Sequence, residues 1–292
     1  MDASSFFTES LQPWALGIKE AARDVTGVME GKQIGYRSGW ANLDSMLRLI
    51  PGELTVVGAR AGTGKTAFAM QLAENVMKQM IANGDEGLIV IFSAEMSANS
   101  LAKRTACGLA GVPVWKVDNG EITKEEGRRV LEKLRELEAW PFVVDQTTAP
   151  TVEHMIEQIQ VYADEAPIRL VMFDYMELAG EFAKEESQRV AKIGRGLHGL
   201  ARKYNCPVVA ISQLNRDIER RALMHGGERE PDRVVMLVRP SLFDETEDER
   251  IVNVYMVKNR NAKQGETVLL FDAPNMRFQS AQVVRHDLNQ EA

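Results

Sequence analysis

Positive charge is in short supply. The 35 lysines and arginines meet 42 acidic residues, for a formal net charge of −7. A protein that coats duplex nucleic acid with its whole surface is ordinarily basic, so any nucleic acid here must meet a local basic surface. Cysteine is scarce too: Cys107 and Cys206 lie far apart, among apolar or small residues, at no metal-ligand spacing. They read as buried free thiols in a reducing compartment, which excludes a disulfide framework. No apolar run is long enough to span a bilayer. The opening "MDASSFFTES" lacks the basic flank and apolar core of a secretory signal. The expected location is cytoplasmic, with no membrane partner.

What is present is a 292-residue chain, 45% hydrophobic and 26% charged, enough for one large domain with a small appendage. Residues 1–30 form a separate arm. Leu11, Trp14, Ala15, Ile18, Ala22, Val25 and Met29 recur at helical spacing, with Ser10 as a possible cap and Pro13 in the first turn. Such a stripe packs either on its own domain or on a neighbouring subunit, and spacing alone does not choose. From residue 54 onward, short apolar runs ("LTVVGA", "LIVIFSAE", "FVVD", "RLVMFD", "PVVAIS", "VVMLV") alternate with helical stretches at about 65–82, 97–111, 123–139, 151–164 and 187–204. This pattern predicts an α/β fold with a mostly parallel sheet covered by helices on both faces. "RIVNVYMVKNRNAKQGETVLLFDAP" predicts a hairpin on the sheet edge with Gly265 in its turn. The last residues, 281–292, form a polar tail.

The segment "ARAGTGKT" lies between the first apolar strand and a helix starting near Lys65. Gly62 and Gly64 let backbone N–H groups curl around a phosphate, and the helix N-terminus adds its dipole. Lys65 supplies charge to the β- and γ-phosphates, and the Thr66 hydroxyl suits Mg²⁺. Ala61, Gly62, Thr63, Gly64, Lys65, Thr66 and Ala67 are the expected nucleotide-binding residues. Ala59 stands where the strict pattern has its first Gly, which a negative φ would tolerate. Asp174 ends the strand "IRLVMFD" and is the expected second metal contact. Glu95, past the end of "LIVIFS", either orients the attacking water or opens the next helix. Ser212 and Gln213 end a further strand, where a polar side chain can sense the γ-phosphate or simply make a turn.

In this order and wording the motifs resemble the C-terminal, RecA-like motor domain of DnaB-type replicative helicases. "SGWANLDSMLRLIPGELTVVGARAGTGKTAFAMQLA" is similar to the family's entry into its nucleotide loop, including Ala for Gly. "SAEMSANSLAKR" resembles its catalytic-glutamate motif, "CPVVAISQLNRDIERR" its sensor segment, and "VKNRNAKQGETVLLF" its Lys-x-Arg-Asn-Gly hairpin. "VMFDYMEL" resembles its metal strand, which more often reads Asp-Tyr-Leu-Gln. The likeness runs from about residue 31 to 278.

The resemblance implies a ring, usually a hexamer, that hydrolyses ATP with Mg²⁺ between subunits and draws single-stranded DNA 5′→3′ through its channel to open forked duplex. Lys65, Thr66, Asp174, Glu95 and Gln213 would act within one subunit. Lys258 and Arg260, which alone read as an edge-strand pair, would reach the neighbour's γ-phosphate. The arm becomes a linker helix docked on that neighbour, residues 31–280 the motor, and a primase or a loader further partners. The family's N-terminal domain, used for ring collaring and primase contact, is missing, so the expectation is a short variant. Two departures matter. Asn261-Ala262 replaces Asn-Gly. "RALMHGGEREPDRVV" replaces a longer basic loop; there Arg220, Arg221, Gly226, Gly227 and Arg229 are the DNA-contact candidates, opposed by Glu228, Glu230 and Asp232. That shorter loop keeps open a non-translocating ATPase acting as an assembly or loading factor; a recombinase-like filament former is a third reading, which the arm and the helicase-like motifs disfavour.

Overall fold

The computed structural model describes residues 14–31, 34–181, 186–214, 230–260 and 263–281. The chain divides into two compact units, Met1–Tyr36 and Arg37–Ala292. The first contains helix α1 (Trp14–Met29), none of whose residues is buried. Its stripe stays open: Trp14 and Met29 are each 82% exposed, and Ile18, Val25 and Val28 are exposed as well. Leu11, Ser10 and Pro13 lie outside the described residues.

The larger unit begins with two short strands, β1 (Tyr36–Arg37, shared with the boundary) and β2 (Arg48–Leu49). Then come β3 (Leu54–Ala59), α2 (Lys65–Asn83), β4 (Leu88–Ser93), α3 (Ala98–Ala110), α4 (Val114–Asp118), α5 (Lys124–Leu137), β5 (Phe142–Asp145), α6 (Val152–Ala163), β6 (Ile168–Asp174), α7 (Glu186–Tyr204) and β7 (Val208–Gln213). The chain closes with β8 (Arg233–Val238), β9 (Ile251–Asn259), β10 (Gly265–Asp272) and β11 (Arg277–Ser280). The sheet runs in the order β11-β10-β9-β8-β3-β7-β6-β4-β5. Strands β8, β3, β7, β6, β4 and β5 are mutually parallel, while β9, β10 and β11 are antiparallel to their neighbours.

The parallel strands are buried on both faces, which explains their near-continuous apolar sequences. Leu54, Val56, Val171, Phe173, Val208 and Ala210 face α6 and α7, whose Met155, Ile159, Ile193 and Leu197 complete one core. The alternate residues Ile91 and Met172 line a small cavity together with Ala69 and Met70 of α2. Helices α3 and α5 pack together at one side around Ala106, Cys107, Val112 and Val130. Both cysteines are buried free thiols, and burial pushes the Cys206 thiol up to about 12. Helix starts follow their caps. Ser97 and Thr151 accept the backbone N–H three residues on, and Thr123 with Glu126 closes a capping box.

The expected hairpin forms from β9 and β10, but it is not the sheet edge. Strand β11 pairs with β10 and takes that place, and Gly265 is the first residue of β10 rather than part of a turn. The chain reverses because the Asp272 carboxylate accepts from the Asn275 backbone (3.3 Å) and side-chain amide (2.8 Å), with Met276 at φ 53. Phe278 then stacks on Phe271 (4.5 Å) and meets Phe68 and Trp40 edge-on. Gln71 of α2 takes the role of a strand partner, exchanging two 2.8 Å bonds with the Phe278 backbone.

A buried ion pair ties the same two elements. Glu74 of α2 has no exposure and accepts from Arg277 of β11 through both guanidinium nitrogens (2.5 and 3.1 Å) and from Lys78 (2.6 Å). Burial alone would raise this carboxyl; the Arg277 and Lys78 hydrogen bonds outweigh it and hold it below its ordinary value. Glu74→Ala leaves Arg277 without its buried partner and is expected to cost about 3–5 kcal/mol in urea unfolding. Lys78→Ala, at a side chain 58% exposed, is expected to cost under about 1 kcal/mol. Because the folded pKa is depressed, the Glu74 contribution is complete above the unfolded value and fades as pH falls through the folded one. The gap between wild type and Glu74→Ala should therefore narrow in acid.

Candidate functional site: one edge of the parallel sheet

Parallel pairing brings four strand ends together. Ala59 of β3 lies opposite Gln213 of β7, and Asp174 of β6 opposite Ser93 of β4, two residues before Glu95. The segment after β3 turns through Gly62 (φ 80) and Gly64 (φ 94) into α2. Only glycine takes these angles without strain. A Cβ on Gly64 would also meet the Phe271 ring at 2.8 Å, so the loop rests on β10. Among the described residues, Asn205 and Met276 are the non-glycines with positive φ, so Ala59 meets its expected requirement. It is fully buried as the last residue of β3.

A cleft of about 380 Å³ opens over the loop, lined by Ala61, Gly62, Gly64, Lys65, Thr66 and Ala67, with Glu95 and Gln213 on its rim. Thr63 is buried beneath. The cleft continues past Met70, Arg104, Phe271 and Arg277. The Lys65 ammonium donates to the Arg60 carbonyl (3.1 Å) and the Gln213 side-chain oxygen (3.3 Å). Burial lowers its pKa, while Asp174, Glu95 and Glu177 oppose that shift. The Thr66 hydroxyl donates to Asp174 Oδ2 at 2.6 Å, and Asp174 Oδ1 is buried with no partner among the described residues. Burial raises the Asp174 carboxyl, which the Thr66 bond opposes and the nearby Glu95 charge reinforces. A hydroxyl beside an unsatisfied carboxylate oxygen is a hard, all-oxygen donor set of the kind Mg²⁺ takes. Glu95 is exposed in the loop before α3, which starts at Ala98 behind its own cap, so it is not a first-turn helix residue.

Lys258 and Arg260 sit elsewhere. Lys258 pairs with Val234 and Asn259 with Arg233, at the start of β8, which itself lies beside Thr55 at the start of β3. They occupy the opposite edge, a strand length (about 17–20 Å) from the loop. The Arg260 guanidinium donates to Asp232 at 2.8 Å. Asp232 is 4% exposed, accepts the Leu54 N–H (2.9 Å) and approaches His198 Nε2 (3.2 Å). Asp232 is thus a buried anchor and not the loop charge expected of it. Arg220, Arg221, Gly226, Gly227, Arg229 and the Asn261-Ala262 pair lie outside the described residues.

Sequence reading missed two side chains at the site edge. Arg239, just past β8, donates to the carbonyls of Glu249 (2.7 Å) and Gly62 (3.3 Å) and lies over Phe271 (5.6 Å). Its signal was a lone Arg after an apolar strand. Glu177 accepts from the Ser212 hydroxyl (2.6 Å) and the Gln213 N–H (3.0 Å). Its signal was a carboxylate where the resembling motif more often has Gln.

A glycine loop, a lysine, a threonine and a strand-ending aspartate on one edge of a parallel sheet define a RecA-like P-loop fold. Residues 35–280 match the family model described as DnaB-like helicase C-terminal domain, and the chain belongs to that family. It is similar to the replicative DNA helicase DnaB of Geobacillus stearothermophilus (28% identity, 83% of this chain, 56% of that protein). It is also similar to a probable replicative DNA helicase of Trieres chinensis (30%, 84% and 57%). The chain therefore spans little more than half the length of these relatives. Among solved structures, a DnaB-like replicative helicase described with its primase interactions superposes with a TM-score of 0.76 at 22% identity, covering 90% of this chain and 66% of that one. A solved ATPase domain superposes with a TM-score of 0.79, also at 22% identity, covering 91% of this chain and 99% of that one. Among the described residues no helix is long and apolar enough to cross a membrane.

Two glycines separate backbone strain from contact at the loop. Gly84, which caps α2 at φ 70, has open space around it, so Gly84→Ala should cost only the left-handed penalty of about 1–2 kcal/mol. Gly64→Ala must also displace Phe271 and should cost clearly more in thermal unfolding. Equal costs would mean that the Phe271 contact carries no weight.

Proposed function

We propose that this chain is the ATP-hydrolysing motor of a ring-forming DNA helicase, with residues 31–280 as motor, 1–30 as an intersubunit arm and 281–292 as a polar tail. The observation that carries this reading is the separation of Lys65, Thr66, Asp174, Glu95 and Gln213 on one sheet edge from Lys258 and Arg260 on the other. Groups a strand length from their own loop cannot serve it, but can serve the loop of a second copy.

In this reading the Ala61–Ala67 loop cradles the phosphates, and Lys65 offers its charge to the β- and γ-phosphates. Thr66 and Asp174 would hold Mg²⁺, which when bound would supply positive charge to the phosphates. Glu95 orients and deprotonates the attacking water, and Gln213 senses the γ-phosphate through the side-chain amide that already meets Lys65. Arg260 leaves Asp232 and, with Lys258, stabilises transition-state charge in the adjacent subunit. The open apolar stripe of α1 supports an arm that docks on a second copy. Single-stranded or forked DNA would pass through the ring, with Arg220, Arg221, Gly226, Gly227 and Arg229 as its contacts. The likeness to a replicative helicase described with its primase interactions makes a primase a candidate partner. The cytoplasm is the compartment proposed for this work.

The decisive measurement is ATP hydrolysis with and without single-stranded DNA, with Lys65→Ala as blank. Stimulation by DNA, with strand displacement on a forked duplex, is expected. Turnover that answers to a protein partner and ignores DNA would favour a loading factor instead. Arg260→Ala should reduce hydrolysis by about 10³-fold or more while nucleotide still binds. Equal loss of binding would argue against action in trans. Mixing Arg260→Ala with Glu95→Ala subunits should restore part of the activity at mixed interfaces.

A further inference from the structure

The pairing of β6 with β7 stops early. It runs from Val171 opposite Val208 to Phe173 opposite Ala210, whereas β7 continues to Gln213. On its other side β7 stays paired with β3 as far as Ala59 opposite Gln213. The last residues of β7 therefore lack a strand partner on the β6 side. Glu177 fills that position. It sits in the single 3₁₀ turn Met176–Leu178 that follows Asp174 and contacts β7. One carboxylate oxygen takes the Ser212 hydroxyl at 2.6 Å, and the other takes the Gln213 N–H at 3.0 Å. Gln213 in turn holds Lys65 through its side-chain oxygen at 3.3 Å.

We propose that Glu177 is a positioning residue: it clamps the free end of β7 so that the Gln213 amide stands in register with the Lys65 ammonium and the nucleotide cleft. Gln213 is exposed, so packing does not set its direction, and the strand end must. Both Glu177 oxygens are engaged with β7, and Glu177 does not line the cleft, so it is not a second water-activating carboxylate. The clamp needs two hydrogen-bonding atoms in this geometry, not a charge. A glutamine could supply both, its carbonyl accepting from the Gln213 N–H and its amide donating to the Ser212 hydroxyl oxygen. The inference rests on the proposed ATPase for its kinetic consequence, but the clamp itself can be read without turnover.

The test uses the full chain with Glu177→Ala, Glu177→Gln and Ser212→Ala, measuring ATP turnover and amide hydrogen exchange across residues 208–214. Glu177→Ala should lower kcat by about tenfold to a hundredfold with KM for ATP within about threefold, since a displaced group acts mainly in the transition state. Exchange at Gln213 should speed up by a similar factor. Glu177→Gln should recover most of both losses, and Ser212→Ala should fall between. The proposal is overturned by wild-type kcat and exchange in Glu177→Ala, or by Glu177→Gln as slow as Glu177→Ala, which would assign the effect to charge. It is also overturned if kcat, nucleotide binding and melting temperature fall together, the pattern of a merely structural residue. Should wild-type turnover not exceed the Lys65→Ala blank, the proposed ATPase fails, while the exchange comparison still decides the clamp.

Discussion

Parallel register is the constraint from which the site follows. Strands β3, β7, β6 and β4 run the same way, so their last residues must emerge along one edge. Interior positions of these strands are buried on both faces and tolerate little but apolar side chains. Polar chemistry can enter only where a strand stops, and it does so at Ala59 and the loop beyond it, Gln213, Asp174 and the turn holding Glu95. Glu177 extends the same logic: where the β6–β7 ladder ends, a side chain takes over the pairing that the backbone gives up.

Within this edge the charges are set against one another. Lys65 is mostly buried, and its ammonium is kept by a carbonyl, an amide oxygen and the fields of three carboxylates. Asp174 is buried as well, with one oxygen on Thr66 and the other unsatisfied among the described residues. Burying a charge without a full set of partners is costly. In the proposed reading, a buried ammonium beside a buried carboxylate with an unsatisfied oxygen would gain most from a ligand that brings both phosphate and a divalent cation. Neither alone answers both groups.

Much of this was legible in the sequence because it rests on local rules. The glycine loop, the five principal helices and the six parallel strands each carry their own local pattern, and a parallel sheet puts the ends of its strands on one edge. What stayed hidden depends on distant partners. Strand β11 is four residues long and exists because Gln71, Glu74 and the Phe271–Phe278 stack hold it, and the two α2 residues are remote in sequence. Asp232 looked like one more charge in a mixed loop, yet Leu54 and Arg260 bury it against the start of β3. Helix α4 is a five-residue piece between longer helices, too short for a periodic signal. The candidate DNA contacts fall on a segment where neither pattern nor described structure adds constraint.

The β9–β10 pair joins these themes, because its two ends lie at opposite ends of the parallel strands. At one end of the ladder stand Lys258 and Arg260, the latter held by Asp232. At the other, Phe271 lies under Gly64, and Arg239 bridges from above that ring to the Gly62 carbonyl. Antiparallel pairing over Ile251–Met256 makes the two ends parts of one stiff ribbon. A shift of the hairpin large enough to free Arg260 from Asp232 is thus resisted at the far end by the packing of Phe271 against the loop. The loop is not an isolated cradle: Gly64 is fitted to Phe271 of a β-ribbon whose opposite end carries Lys258 and Arg260.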